Sequence, residues 1–387
     1  MSAKNSSNVP VLVALAQLPS LAAANGLFTE AALPWFIFAL KFIVVTVIVT
    51  VFIYTIRHLV FTLNRLFSHQ RHPYLDVDTA AWPMVTVVIP AHNEEDVIGT
   101  AIDSLLNVDY PPEKYEILIV NDRSNDKTGE IVDQFVERAP NLVSAFHRTG
   151  GIPGKASALA EASERIGSEV MIVFDADYIP GRGLIKQLVA PFFDAEIGAV
   201  MGRVVPHNAG TNLLTRLLDL ERAAGYQVDQ QARMNLHLVP QYGGSVGGVR
   251  MSALREVGGW HANAYAEDTD LTYRLLLHGF KTAYENRCEC YEEVPEIWQE
   301  RNRQIMRWAK GHNQVAMRYT LRTILSRRVK FVERIDAILL LGVYLIAPLL
   351  ILGFIAASLL YMLGESVFGN AAFALVGFVA FGTLGQC

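Results

Sequence analysis

Apolar residues fall into two kinds of run, long unbroken stretches near the ends of the chain and short ones through its middle. Residues 31–56 hold a single charge, Lys41, in 26 positions, and at about 1.5 Å per residue such a helix can cross a hydrocarbon core of about 30 Å. The pattern predicts a transmembrane helix, with Lys41 snorkelling to an interface or facing protein rather than acting as an intramembrane functional charge. Residues 337–363 and 367–385 predict two more, and the last run reaches Cys387 with no polar tail, as in a fragment of a longer membrane domain. Residues 9–24 form a weaker run, broken by Gln17 and Pro19. Three readings stay open for it: a membrane or interfacial helix, a tail, or a removed signal ending at Leu21-Ala22-Ala23-Ala24.

The short runs predict strands. Val85-Thr86-Val87-Val88-Ile89-Pro90, Ile117-Leu118-Ile119-Val120 and Val170-Met171-Ile172-Val173-Phe174 are apolar on successive positions, as strands buried on both faces are. Helical periods lie between them, around Ile98, Ile102, Leu105 and Leu106 and around 128–137. Alternation of this kind predicts an α/β domain with a mostly parallel sheet and crossover helices, which binds ligands past the carboxyl ends of its strands. The expected organisation is an N-terminal membrane region (1–72), a cytosolic domain (73–300), amphipathic interface helices (301–334) and C-terminal transmembrane helices (335–387). Arg57, Arg65 and Arg71 follow the first membrane run; Arg318, Arg322, Arg327, Arg328, Lys330 and Arg334 precede the next. By the positive-inside rule both flanks face the cytoplasm, which predicts an integral inner-membrane protein with its catalytic domain in the cytoplasm.

Composition agrees with membrane segments: 51% of the 387 residues are hydrophobic and the mean hydropathy is +0.25. A net charge of −5 excludes general nucleic-acid binding, which needs a basic surface, but allows an anionic small substrate held through a metal. Three cysteines suit neither a four-ligand zinc site nor a disulfide framework, and Cys288 and Cys290 read as reduced residues on one face of a strand.

Polar residues cluster where the predicted strands end. Asp175-Ala176-Asp177 directly follows one, and two hard oxygen donors there suit Mg²⁺ or Mn²⁺ shared with phosphate oxygens; a turn or capping pair is the alternative. Asp122 ends another strand, where it could accept hydrogen bonds from a base or ribose, with Ser124 and Asp126 as turn and cap residues. His92-Asn93-Glu94-Glu95 again places polar groups, Glu94 among them, past a strand end. Further on, Glu267-Asp268 precedes an amphipathic helix, and Asp268 is either a helix cap or a general base for a hydroxyl. Gly243-Gly244-Ser245-Val246-Gly247-Gly248 lacks the lysine of a phosphate loop and reads as an acceptor-side loop or a tight turn.

The order Asn121-Asp122-x-Ser124, Asp175-Ala176-Asp177, Glu267-Asp268 and Gln304-x-x-Arg307-Trp308 resembles the processive family-2 glycosyltransferases, the group of cellulose, chitin, hyaluronan and poly-N-acetylglucosamine synthases. The resemblance covers about residues 83–312 and the flanking membrane runs. It implies a GT-A-like, Rossmann-type mixed and mostly parallel sheet, a UDP-sugar donor, Mg²⁺ or Mn²⁺, a glycan acceptor and contact with the lipid bilayer, with room for a homo-oligomer or accessory secretion subunits. Residue by residue, it implies that Asp122 contacts uracil or ribose, that Asp177 with Asp175 holds the metal on the diphosphate, and that Asp268, beside Glu267, is the base. Glu94 and Lys155 fall near the donor, with a solvated lysine at a helix start as the alternative for Lys155. Gln304, Arg307 and Trp308 fall on an interfacial amphipathic helix, Arg307 against the diphosphate and Trp308 near the acceptor sugar. Two positions depart from the family pattern, Asn121 where an Asp is frequent and Ala266 where a Thr is frequent. The reaction expected is inverting transfer onto a growing β-linked polysaccharide; the alternative is a single transfer to a lipid or polyprenyl phosphate. A catalytically silent nucleotide-sensing subunit is disfavoured by the intact carboxylates.

Overall fold

The computed structural model describes residues 32–71 and 81–365; the runs at 9–24 and 367–385, with Cys387, lie outside them. The chain divides into two units, His58–Tyr344 and the segments on either side.

The large unit is built on an eight-stranded mixed sheet. Its strands are β1 (Val85–Ala91), β2 (Tyr115–Asp122), β3 (Val143–Arg148), β4 (Val170–Val173), β5 (Ile179–Pro180), β6 (Ile197–Pro206), β7 (Gly247–Arg250) and β8 (Lys281–Glu292), in the order β3-β2-β1-β4-β7-β6-β8-β5. β1, β2, β3 and β4 run parallel, β7 is antiparallel to both β4 and β6, and β8 is parallel to β6. The β-branched runs of β1 and β4 suit a pleated surface covered on both faces: Val87, Ile89 and Ile172 pack into one core cluster and Val88, Met171 and Val173 into another on the opposite face. The sequence pattern locates β1, β2 and β4, whereas β3 and the antiparallel half are interrupted by polar residues that break the apolar run. Cys288 and Cys290 are free and buried in β8, in the same core cluster.

The predicted interface segment 301–334 falls on two helices, Trp298–Leu325 and the start of Phe331–Leu341. The predicted membrane run at 337–363 is not one helix. Ala337 and Leu341 are buried with Val239, Tyr273, Val315 and Tyr319 in the large unit, where the Tyr273 hydroxyl donates to the Ala337 carbonyl at 2.5 Å. The chain breaks after Leu341 at Gly342, passes through a 3₁₀ turn and restarts at Ile346–Met362, with Pro348 in the first turn, where its missing N–H costs nothing.

In the small unit the N-terminal part of the helix Ala32–Phe67 packs on Ile346–Met362. Leu40 and Val44 meet Ala356 and Leu360. The two backbones approach closely at Gly353, where an added Cβ would lie 2.8 Å from Val47. Lys41 has a partner, the Glu365 carboxylate at 2.7 Å. Among the described residues, Ala32–Phe67 and Val343–Met362 are long and apolar enough to cross a bilayer.

Candidate active site

A cleft of about 1530 Å³ opens past the carboxyl ends of β1, β2 and β4, and its lining includes the residues to which the sequence assigns a catalytic, donor-binding or metal role: Glu94, Asp122, Lys155, Asp175, Asp177, Glu267, Asp268, Gln304, Arg307 and Trp308.

Hydrogen bonds staple the first two strand ends together. Asn93 and Arg123, the residues just past β1 and β2, both turn the chain with φ +58°. Asn93 N–H donates to Ser124 Oγ (3.0 Å) and Asn93 Oδ1 accepts from Asn125 N–H (2.9 Å), while Glu94 N–H donates to Thr128 Oγ1 at 2.8 Å. Asp126 makes the expected turn, accepting from Thr128 N–H at 3.0 Å. Asn121, the departure from the family pattern, accepts from Ser124 N–H at 3.2 Å and lies 3.0 Å from His147 Nδ1. It therefore shapes the turn, a task for an amide that can both donate and accept.

Asp122 is buried, and its carboxylate is already engaged. Arg148 Nη1 and Arg123 Nη2 each lie 2.7 Å from Oδ1, and Gly154 N–H donates to Oδ2 at 2.9 Å. Asp122 thus anchors the loop before the helix Lys155–Ser163, which carries Lys155 at its first position, and keeps one lone pair on Oδ2 toward the cleft.

Asp175 is held from both ends: its N–H donates to Ser245 Oγ at 2.9 Å, and its carboxylate pairs with the Lys155 ammonium. Burial opposes charge on Lys155, but Asp175 and Glu267 outweigh it and raise its pKa. Asp177 is pushed up to about 6 by burial and by Asp175. Glu94 is pushed up to about 7 by burial, Asp177 and Asp175. Burial and the adjacent Asp268 likewise raise Glu267. Carboxylates crowded in this way are under-neutralised, and a divalent cation fits them. No group of three or more His, Cys, Asp or Glu side chains among the described residues makes a complete metal site. Mg²⁺ and Mn²⁺ take one or two carboxylates and complete their shell with phosphate and water, so the Asp175 and Asp177 pair would supply the protein's share of the ligands.

The opposite wall is assembled from distant segments. Asp268 lies in the first turn of the helix Glu267–His278, whose cap position is Ala266, so the capping alternative for Asp268 falls. Its Oδ1 accepts from Thr269 N–H at 2.6 Å and from Thr269 Oγ1–H at 3.2 Å; Oδ2 has no hydrogen bond among the described residues. Asp270, by contrast, is a buried hub bonded to Arg274 and Tyr319, both at 2.8 Å.

Two glycines let this wall close. Gly244 sits at φ +75°, and a Cβ there would come 3.1 Å from Asp268 Cβ. Beside it Val246 holds φ +49° while fully buried, a strained conformation for a β-branched residue, fixed by Gly202 N–H on its carbonyl at 2.8 Å. Gly311, on the helix Trp298–Leu325, faces Ala266: a Cβ would come within 2.6 Å of Ala266 Cβ. This close approach explains Ala266, the second departure, because the larger Thr would crowd the helix backbone.

Gln304 accepts from Arg301 Nη1 at 2.6 Å, and Arg307 is exposed along the cleft. Trp308 is flanked by the guanidiniums of Arg222 and Arg301, 5.3 and 5.0 Å from its ring centre. Sequence reasoning misses Arg222, whose Nε donates to Glu292 Oε1 at 2.5 Å, and Tyr178, whose hydroxyl donates to Glu292 Oε2 at 2.9 Å. It also misses the π-helical turn Ala224–Gln230, which brings Tyr226 and Gln230 to the cleft; such turns cluster at functional sites. The adjacency of Tyr178 to Asp177 was the one available signal.

Residues 83–311 match the family described as glycosyltransferase like family 2. The probable glycosyltransferase YdaM of Bacillus subtilis is 32% identical over 252 residues, 65% of this chain and 60% of the relative. A beta-monoglucosyldiacylglycerol synthase of Synechocystis is 33% identical over 248 residues, 63% of this chain and 51% of the relative. The chain thus spans between half and two thirds of the length of these curated relatives. Among solved structures, the mannosyltransferase PcManGT from Pyrobaculum calidifontis in complex with GDP-Man and Mn²⁺ shares the fold, with a TM-score of 0.66 over 89% of this chain and 92% of that one at 22% identity. With more than half of its length inside the family match, the chain belongs to the glycosyltransferase-like family 2.

Proposed function

We propose that this chain is an inverting transferase that moves one sugar from a nucleotide-diphosphate sugar to the hydroxyl of a lipid acceptor at a bilayer surface. The observation that carries the proposal is the single cleft joining the Asp175–Asp177 carboxylates to Asp268 with its unbonded Oδ2. The expectation of a polymer synthase has less support than its alternative, since the diacylglycerol-modifying relatives favour a lipid acceptor. Exposed apolar side chains beside the cleft support it as well: Leu213, Leu217 and Leu220 on one helix face, with Ile297, Trp298 and Met306 on the segment carrying Arg307. The two long apolar helices support an integral membrane location.

Asp175 and Asp177 would hold Mg²⁺ or Mn²⁺, which when bound neutralises the donor diphosphate. Lys155, paired with Asp175, lies where it adds charge to that end, and Arg307 reaches the cleft from the other wall. Asp122 offers its remaining lone pair to the nucleoside. In the transfer, Asp268 Oδ2 takes the proton of the acceptor hydroxyl as that oxygen bonds to the anomeric carbon. The bond from this carbon to the diphosphate oxygen breaks, and its electron pair leaves on the nucleotide. Arg222 and Arg301 fix the Trp308 indole at the acceptor end.

Membranes containing the full chain, incubated with UDP- and GDP-sugars, Mn²⁺ and diacylglycerol, should yield a lipid carrying one sugar. A ladder of longer products would restore the polymer alternative.

A further inference from the structure

Behind the wall formed by Gln241, Asp268 and His312 lies a buried hydroxyl whose bonding capacity is fully used. Thr269 Oγ1 has one proton and two lone pairs. Gln241 Nε2 donates to it at 2.9 Å, and His312 Nε2 lies 3.3 Å away. Its proton goes to Asp268 Oδ1, at 3.2 Å. Gln241 is itself fixed in two directions: its N–H donates to Gln230 Oε1 at 3.0 Å, and its carbonyl accepts from Gln230 Nε2 at 2.9 Å. The other nitrogen of His312, Nδ1, is buried with no hydrogen-bonding partner among the described residues, and the ring packs on Tyr344 with centroids 5.0 Å apart. A buried N–H left unpaired is rarer and costlier than an unpaired acceptor, which puts the ring proton on Nε2, where the nearer neighbour is the Thr269 hydroxyl at 3.3 Å and the Gln241 amide nitrogen, itself a donor, lies at 3.5 Å. Burial also holds the His312 pKa down, against the pull of Asp268, and so favours a neutral ring.

We propose that His312 is a positioning residue for the base: with Gln241 it fills both lone pairs of Thr269, so the Thr269 proton can go only to Asp268 Oδ1, leaving Oδ2 to the acceptor hydroxyl. Without the imidazole N–H the hydroxyl is free to turn its proton away, and the Asp268 carboxylate keeps the Thr269 N–H bond but loses the second of the two bonds that fix its rotation. The proposal rests on Asp268 being the base.

The test uses the full chain in its active membrane preparation, with His312→Gln, His312→Asn and His312→Phe. A Gln side chain can set an N–H near the Nε2 position; the shorter Asn and the apolar Phe cannot. His312→Gln should keep kcat within about threefold of the parent, while Asn and Phe lower it ~10- to 100-fold, the scale of one hydrogen bond to a charged group, with donor KM unchanged. Parent-like rates in Asn and Phe, or a Gln variant as slow as Phe, would overturn the proposal. If His312→Phe does not fold, Thr269→Ser (rate kept within about threefold) and Thr269→Val (rate lost) put the same question to the hydroxyl. Asp268→Asn run alongside separates the two failures: full activity there would remove the base assignment itself, whatever His312 does.

Discussion

The two walls of the cleft are built in opposite ways. On the donor side, Glu94, Asp122 and Asp175 sit at or just past the ends of three neighbouring parallel strands, and bonds from backbone N–H groups to side-chain oxygens fix the turns that carry them. On the acceptor side, residues 241–246, 266–270 and 304–312 come from separate parts of the chain and meet through side-chain contacts and two glycine approaches. A change on the first wall should therefore alter charge and cation binding locally, whereas a change on the second should displace the base.

The sharpest break between the walls is Asp268→Asn, which should cut kcat by ~10²- to 10⁴-fold, the range of a lost general base. Stabilisation by Mn²⁺ plus nucleotide, read as a rise in Tm, should persist in that variant. Asp177→Asn should do the reverse, abolishing the Mn²⁺-dependent rise in Tm and reducing transfer through weaker donor binding, seen as a raised donor KM.

Gly311→Val is the subtler break. Its side chain would meet Ala266 and force the Glu267–Asp268 turn to shift, an overpacking cost of about 1–3 kcal/mol. A kcat lowered roughly tenfold with Mn²⁺ stabilisation intact is expected.

The smallest effect is on stability against pH. Glu94, raised from 4.5 to about 7, and Asp177, raised from 3.8 to about 6, bind more protons folded than unfolded between those values. Their contribution is present below the unfolded pKa and is lost as pH rises through the folded one. Without divalent cation, Tm should drop between about pH 5 and 7. Mn²⁺ should stabilise more at pH 8 than at pH 6, because protonated carboxylates compete with it.

Much of the donor wall was legible in the sequence because each polar residue follows its apolar strand directly, so linear order reports spatial order. On the acceptor wall linear order carries little. Asp270 looks as available as Asp268, and only packing shows that it is buried among Arg274, His261 and Tyr319. Thr269, Gln241 and His312 are separated by dozens of residues, and nothing in their local sequence announces a shared hydroxyl. The run at 337–363 misled for a related reason: hydropathy does not distinguish Ala337 and Leu341, buried in the large unit, from residues facing lipid.

The central claim, transfer of one sugar to a lipid acceptor by the Asp268 base, is tested most directly by the mass of the product formed from a nucleotide-sugar and diacylglycerol by the parent chain and by Asp268→Asn. A lipid heavier by one sugar with the parent, and almost none with Asp268→Asn, is the predicted result. Equal product from both, or a series of masses rising by many sugars, would contradict it.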